Sequence, residues 1–300
     1  MRRLDWTLII LLIIGIFASK VYSSNVQNRD TVNPRRPSVQ HFTPDVWDAE
    51  TRAWLTKSPT PQKGQPLSGN RLRNGVIENS GINHSSVGSA FSVSSDGVWL
   101  TARHVVEGCS KIAIQTATQG YLRVNKTVQH PTADVALILT NGGPERLLIA
   151  NQKVSWRDGY NIGFPAGQPG AVHTRFMGDL TIRHVNRRQP QKGYRERVNA
   201  WAERSRIPDR SGSLGGLSGG AVLDGRGKVI GIVQAESARR GRVMTARPAT
   251  IRDLFSVAKV DFPSPSNPSS GLSLSERTYP KIARNLITSL RVAKVFCLVE

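Results

Sequence analysis

No histidine follows residue 184 in this chain of 300 residues, although six lie at 41, 84, 104, 130, 173 and 184. That absence decides how Gly216-Leu217-Ser218-Gly219-Gly220 is read. The segment satisfies G-x-S-x-G, a serine on a sharp strand-to-helix turn whose aspartate and histidine partners come later in the chain. With every histidine ahead of Ser218, that order is excluded. The order Asp, His, Ser would need a carboxylate ahead of His104. Asp96, inside Ser94-Ser95-Asp96-Gly97, suits a hairpin turn instead. The order that remains is His, Asp, Ser.

Acidic residues are scarce as well: 21 Asp and Glu stand against 41 Lys and Arg, a net charge of +20. Ten Lys/Arg against four Asp/Glu fall between Arg175 and Arg210. Such a field draws anionic lipid headgroups or acidic proteins, although a solvated basic surface is the plainer reading. No nucleic-acid module is recognisable, so no specific nucleic-acid partner is expected. Cysteine is limited to Cys109 and Cys297. Paired, they would close a loop of nearly the whole chain and staple the last strand beside the turn after His104; two buried thiols are the alternative. No metal or cofactor is expected.

Nor is there a long hydrophobic run. Trp6–Ala18 is apolar and reaches Tyr22 only if Ser19 and Lys20 are accommodated. That is short against the roughly 20 residues of a spanning helix. Arg2 and Arg3 ahead of it favour a cytoplasmic start with residues 23–300 exported. Val21-Tyr22-Ser23 is a poor cleavage site, so 1–22 is expected to remain as a single membrane anchor. Secretion after signal cleavage is the alternative. Residues 23–80 read as a tether rich in Asn, Ser, Pro and Gln, with a short helix near 44–57 that begins at Thr43-Pro44-Asp45. Trp47, Thr51, Trp54 and Leu55 share one face of it.

What the chain does contain is chemistry in order. A serine hydroxyl is a poor nucleophile until an imidazole takes its proton, and the imidazole needs a carboxylate to fix its tautomer. Glycines around the serine let the backbone turn sharply and aim amide N–H groups at a developing oxyanion. Leu100-Thr101-Ala102-Arg103-His104 and Thr132-Ala133-Asp134-Val135-Ala136-Leu137 supply the partners upstream of Ser218. Around them, short turn-bounded strands (89–93, 98–101, 112–116, 122–129, 135–139, 154–162, 172–184, 197–202, 219–223, 229–234 and 243–246) read as antiparallel hairpins of an all-β sandwich or barrel. A helix follows at 248–257. Ile282, Leu286 and Leu290 mark an amphipathic helix, and Val292–Val299 reads as a strand.

Residues 100–106 resemble the histidine motif of bacterial trypsin-like serine proteases, and Ala133–Leu137 resembles their aspartate motif. Leu214–Leu223 with Gly231-Ile232-Val233 resembles their nucleophile region, and Asn161–Pro165 resembles the turn between their two halves. The likeness covers about 84–257 and is to relatives of the Do-like periplasmic proteases. It implies two six-stranded antiparallel β-barrels over 81–260; the tail at 261–300 is expected to pack back on them, and forty residues after the core are too few for a PDZ domain. It also implies an endopeptidase acting on polypeptides through an acyl-enzyme; with residues 1–22 as anchor, the protease domain is expected in the periplasm at a bacterial inner membrane. His104 would be the general base, Asp134 its orienter and Ser218 the nucleophile. The N–H groups of Gly216 and Ser218 would form the oxyanion hole. Leu217 departs from the pattern, because it cannot pair with a newly cut N-terminus as the acid of animal trypsins does. Gly212 stands where an acid would select Lys or Arg. The pocket wall would be Gln234-Ala235-Glu236, with Glu236 as a possible negative charge. The alternative function is an inactive protease fold that presents its basic surface to a partner.

Overall fold

The computed structural model describes residues 49–56, 62–63, 75–79, 85–116, 120–150, 157–186, 193–209, 212–237, 240–263 and 271–299. The anchor expected over 1–22, and Trp47 in the tether, lie outside the described residues. In chain order the elements are α1 (Ala49–Thr56), β1 (Gln62–Lys63), β2 (Gly75–Asn79), β3 (Ser86–Ser94), β4 (Val98–Thr101) and α2 (Arg103–Val106). Next come β5 (Lys111–Gln115), β6 (Tyr121–Gln129), β7 (Ala136–Thr140), β8 (Asp158–Gly163), β9 (Gly170–Asn186) and β10 (Tyr194–Ile207). The last are β11 (Ala221–Leu223), β12 (Val229–Ser237), β13 (Arg242–Thr245), α3 (Pro248–Ala258), α4 (Tyr279–Thr288) and β14 (Val292–Leu298). No described helix is long and apolar enough to cross a membrane.

The strands close into two six-stranded antiparallel barrels. The first runs β14-β3-β4-β7-β6-β5 and back to β14. The second runs β8-β9-β10-β13-β12-β11, with β8 paired to β11. Written this way, the two barrels have the same strand order, and β14 stands in the first where β8 stands in the second. This corrects the expectation of a tail packed on a finished barrel. The stretch from β3 to β7 supplies only five strands, leaving β3 and β5 with unpaired edges, and an open edge is a liability. The C-terminal strand fills it, pairing Ala293 with Ala90 on one side and Cys297 with Ile112 on the other. The tether expectation also needs adjusting. Within 23–80, β1 pairs with β10, and β2 lies parallel to β9, so both extend the second sheet.

Sequence pattern explains the strands. Ala136-Leu137-Ile138-Leu139-Thr140 is a nearly unbroken buried run in the wall of a barrel. In β10, Glu196 and Val198 face inward while Arg195 and Arg197 face solvent, the period of two that one buried face demands. Gly97 closes the β3–β4 hairpin at φ +94°, where an added Cβ would lie 2.2 Å from the Thr140 carbonyl oxygen. Trp99, Ile114, Ile138 and Val295 share the first barrel's core, and Trp201, Leu217, Val222 and Val243 the second's. A third core draws Phe91 and Leu137 from the first barrel and Tyr160 and Leu223 from the second. It also takes Trp54 of α1, Phe255 of α3 and Leu286 of α4. The two barrels are thus held face to face, and the candidate site lies where they meet.

Candidate active site

His104 sits in the single turn of α2, directly after β4. Its Nδ1 lies 2.7 Å from Asp134 Oδ2, and its main-chain N–H donates to Asp134 Oδ1 at 2.9 Å. The carboxylate therefore grips both the backbone and the ring of one residue. With Asp134 ionised, Nδ1 carries the proton, which leaves the Nε2 lone pair outward. The Asp134 side chain is 4% exposed and that of His104 is 29% exposed, so the carboxylate is dry and the imidazole is reachable. Burial works to lower the His104 pKa, but the charge and hydrogen bond of Asp134, helped by the charge of Glu107, outweigh it, and the net shift is upward. Burial works to raise the Asp134 pKa, and the His104 contacts, with a further pull from His184, carry the net shift downward.

Asp134 is held in turn from the second barrel. Its N–H donates to Glu196 Oε2 at 2.8 Å, and Gln234 Nε2 donates to its carbonyl at 3.1 Å and to Glu196 Oε1 at 2.7 Å. His184 Nε2 lies 3.4 Å from Glu196, with its ring stacked on Tyr194. Arg103, over the other side of that network, packs its guanidinium against the Tyr194 ring and donates to the carbonyls of His130 and Pro131.

Ser218 lies in the loop between β10 and β11, and the peptide units of that loop are fixed one by one. A trans peptide points its C=O and the following N–H in opposite directions, so tying the carbonyl aims the N–H. The Gly215 carbonyl accepts from Ala166 N–H at 2.5 Å, which aims the Gly216 N–H. The Gly216 carbonyl accepts from Ser89 Oγ at 2.7 Å. The Leu217 carbonyl accepts from Gly220 N–H at 2.8 Å, which aims the Ser218 N–H. The Ser218 carbonyl accepts from Ser89 N–H at 2.8 Å. Leu217 N–H goes to Leu214 and Gly219 N–H to Val233, whereas the N–H groups of Gly216 and Ser218 have no acceptor among the described residues. Those two are therefore free for a ligand oxygen.

Glycine is required twice here. Gly216 has φ +92°, and a Cβ there would meet the Phe164 carbonyl oxygen at 2.5 Å. Gly219 has φ +85°, and a Cβ would strike the Ser89 carbonyl oxygen at 2.0 Å and Thr101 Oγ1 at 2.3 Å. That close approach brings the serine turn against Thr101 and Ala102, the residues that lead into His104. The Ser218 hydroxyl donates to the Gln234 carbonyl at 3.5 Å.

The expected pocket residues are arranged differently from one another. Gly212 is exposed, and its carbonyl accepts from Arg206 at 3.0 Å. Ala235 is half-buried. Glu236 accepts from Leu214 N–H at 2.7 Å and from the Ser213 hydroxyl, so its carboxylate clamps the loop before the serine. Gln234 is 3% exposed and turns its amide into the Glu196 network; only its main chain faces Ser218. Cys109 and Cys297 are joined, with Cα atoms 5.3 Å apart.

Sequence reasoning missed Ser89, Glu196 and the inward role of Gln234. Glu196 did leave a signal. It is an acid on the apolar face of an alternating strand, between two arginines on the opposite face.

Residues 88–232 match the family model described as trypsin-like peptidase domain. The chain is 26% identical over 159 residues to the "Probable periplasmic serine endoprotease DegP-like" of Pseudomonas fluorescens, covering 53% of this chain and 31% of that protein. It therefore spans about a third of that curated relative. The active form of the Rv3671c protease from M. tuberculosis is similar at TM-score 0.48 and 15% identity, covering 67% of this chain and 97% of that one. The HtrA-type protease AlgW with a decapeptide is similar at TM-score 0.44 and 21% identity, covering 57% and 51%. The family match runs from β3 into β12, and so into both barrels, and residues 88–232 make up a trypsin-like peptidase domain.

Proposed function

We propose that this protein is a serine endopeptidase that cleaves polypeptides through an acyl-enzyme. Ser218 Oγ attacks the scissile carbonyl while His104 Nε2 takes its proton. Asp134 holds the ring in the tautomer that can accept the proton and stabilises the imidazolium that results. The oxygen of the tetrahedral intermediate is received by the N–H groups of Gly216 and Ser218. As the intermediate collapses, the C–N bond breaks, His104 returns the proton to the leaving amine, and Ser218 keeps the acyl group. Water, deprotonated by His104, then releases it. The observation that carries this reading is the serine turn itself. Its peptides are tied down one after another, and the two N–H groups left unspent are those the chemistry needs.

The Ser218 hydroxyl, which donates to the Gln234 carbonyl at 3.5 Å, turns to His104 for the attack, since catalytic hydrogen bonds are often long in a free enzyme and tighten when substrate arrives. A fluorophosphonate probe tests the reading, because it labels only a serine activated by its neighbours.

Export is part of the proposal. The relative named as periplasmic, together with Arg2, Arg3 and the apolar tract from Trp6, supports a protease body beyond the cytoplasmic membrane, tethered by residues 1–22. A C-terminal reporter that is active only after export would read this directly, and a cytoplasmic signal would overturn it. Glu236, whose carboxylate is engaged by Ser213 and Leu214, is proposed as a loop clamp and not as a selector of cationic side chains.

A further inference from the structure

We infer that Ser89, on β3 of the first barrel, is a positioning residue that holds the oxyanion-binding turn of the second barrel in its reactive shape. The inference rests on the endopeptidase reading and adds to it a residue that touches no substrate.

Ser89 is fully buried, and all of its polar groups are used across the barrel interface or on the strand before His104. Its N–H donates to the Ser218 carbonyl at 2.8 Å. Its hydroxyl donates to the Gly216 carbonyl at 2.7 Å and accepts the Phe164 N–H at 2.9 Å. Its carbonyl accepts from the Thr101 hydroxyl at 2.7 Å.

The hydroxyl therefore links two short segments of the second barrel. One is the turn from Phe164 to Gly167, whose Ala166 N–H ties the Gly215 carbonyl. The other is the turn that carries Gly216 and Ser218. Through Phe164 the hydroxyl steadies the group that aims the Gly216 N–H, and through the Gly216 carbonyl it fixes the next peptide.

Fixing is needed at this point. Peptides flanked by glycine rotate at little steric cost, and a rotation of the Gly215–Gly216 peptide would present a carbonyl oxygen where the oxyanion expects an N–H. Leu217, the side chain between Gly216 and the nucleophile, is wholly buried in the second barrel's core and carries no charge to anchor the turn. The polar restraint comes from across the interface instead. The fit is close: a Cβ on Gly163 would lie 2.5 Å from Ser89 Oγ and 3.0 Å from Leu217 Cδ1.

Ser89 does not touch His104 or Asp134 in any of these contacts. Loss of its hydroxyl should thus weaken transition-state stabilisation without disturbing the base. The experiment uses the full chain and steady-state kinetics on a peptide amide for wild type, Ser89→Ala, Ser89→Thr and Gly163→Ala, with thermal melts and fluorophosphonate labelling rates. For Ser89→Ala the expected result is a folded protein whose kcat falls by about 10–100-fold, somewhat less than the loss of an oxyanion donor itself. KM should stay within about threefold, and the acid limb of the pH profile should not move. Ser89→Thr, which restores the hydroxyl, should recover most of the loss. Gly163→Ala, which crowds the same hydroxyl without altering residue 89, should again lower kcat and leave KM, and it provides the test if Ser89→Ala does not fold. A folded Ser89→Ala with wild-type kcat, a defect confined to KM, or a Thr variant that folds yet recovers nothing would overturn the inference. A wild-type protein that fails to label at Ser218 would instead overturn the endopeptidase reading beneath it, and the two failures are told apart by that control.

Discussion

Glu196 Oε2 accepts the main-chain N–H of Asp134 at 2.8 Å, so a buried carboxylate of the second barrel holds the loop that carries the carboxylate of the first. The other oxygen of Glu196 holds Gln234, which holds the Asp134 carbonyl. Glu196→Ala would leave the Asp134 N–H and one of the two Gln234 amide N–H groups without an acceptor, each costing about 1–3 kcal/mol. The expected outcome is a lower Tm together with a lower kcat/KM, partly recovered in Glu196→Gln, whose one amide oxygen can still accept. Thermal melts and steady-state kinetics on the two variants check this. An unchanged Tm and rate in Glu196→Ala would show that the loop is held some other way.

The pH dependence follows from the direction of the His104 shift. The base must be neutral to take the serine proton, and Asp134 and Glu107 hold its pKa above 6.5. Activity is therefore expected to rise with pH through an apparent pKa above that value. Glu107→Gln removes one of the groups that raise it, so the acid limb should move down. Asp134→Asn cannot hold the imidazole in the accepting tautomer and should lose roughly 10⁴-fold in kcat. A kcat/KM profile with its acid limb below 6.5 would contradict the account of the pair.

How much of this was legible in the sequence depends on the distance over which each feature acts. His104, Asp134 and Ser218 stand out as candidates because each sits in a local context that the proposed chemistry requires, and the strands were legible because alternation is local. The apolar strand ending near residue 299 was legible for the same reason. Its place in the barrel was not, because that depends on pairing with chain about two hundred residues away. Ser89 and Glu196 act through hydrogen bonds spanning 127 and 62 positions, and such contacts leave no periodic trace. Gln234 was assigned to the pocket wall by resemblance alone, and its side chain turns into the Glu196 network instead.

The strand order yields a prediction about the C-terminus. Since β14 completes the barrel that carries His104 and Asp134, removal of residues 291–300 should leave β3 and β5 with open edges and yield an aggregating, inactive protein. A tail merely resting on the surface could be trimmed harmlessly. Cys297→Ser should be milder. In the chain-entropy picture the cross-link over 188 residues contributes about 5 kcal/mol as an upper figure. Its loss should appear first as a lower Tm and faster amide exchange in β14. Unchanged melting in Cys297→Ser would refute the staple.

Lys294 offers a stability test with a pH signature. It is fully buried on β14, with its ammonium near the rings of Phe164 and Phe296. Burial lowers its pKa from 10.5 to about 8. Below pH 8 both folded and unfolded states carry the proton, so the cost of burying the charge is present in full. Between 8 and 10.5 the folded state releases the proton first and that cost fades. Lys294→Met should therefore raise Tm most at neutral pH, by an amount equivalent to about 3 kcal/mol at most, and the gain should shrink as pH climbs through that window. A gain that does not depend on pH would contradict this.

The most direct test of the central claim is fluorophosphonate labelling of the full-length protein, with the adduct located by peptide mass spectrometry. The account predicts a single covalent adduct on Ser218, abolished in Ser218→Ala and in His104→Ala while both variants keep the wild-type fold. A folded wild-type protein that takes up no probe, or an adduct that persists in Ser218→Ala, would contradict it.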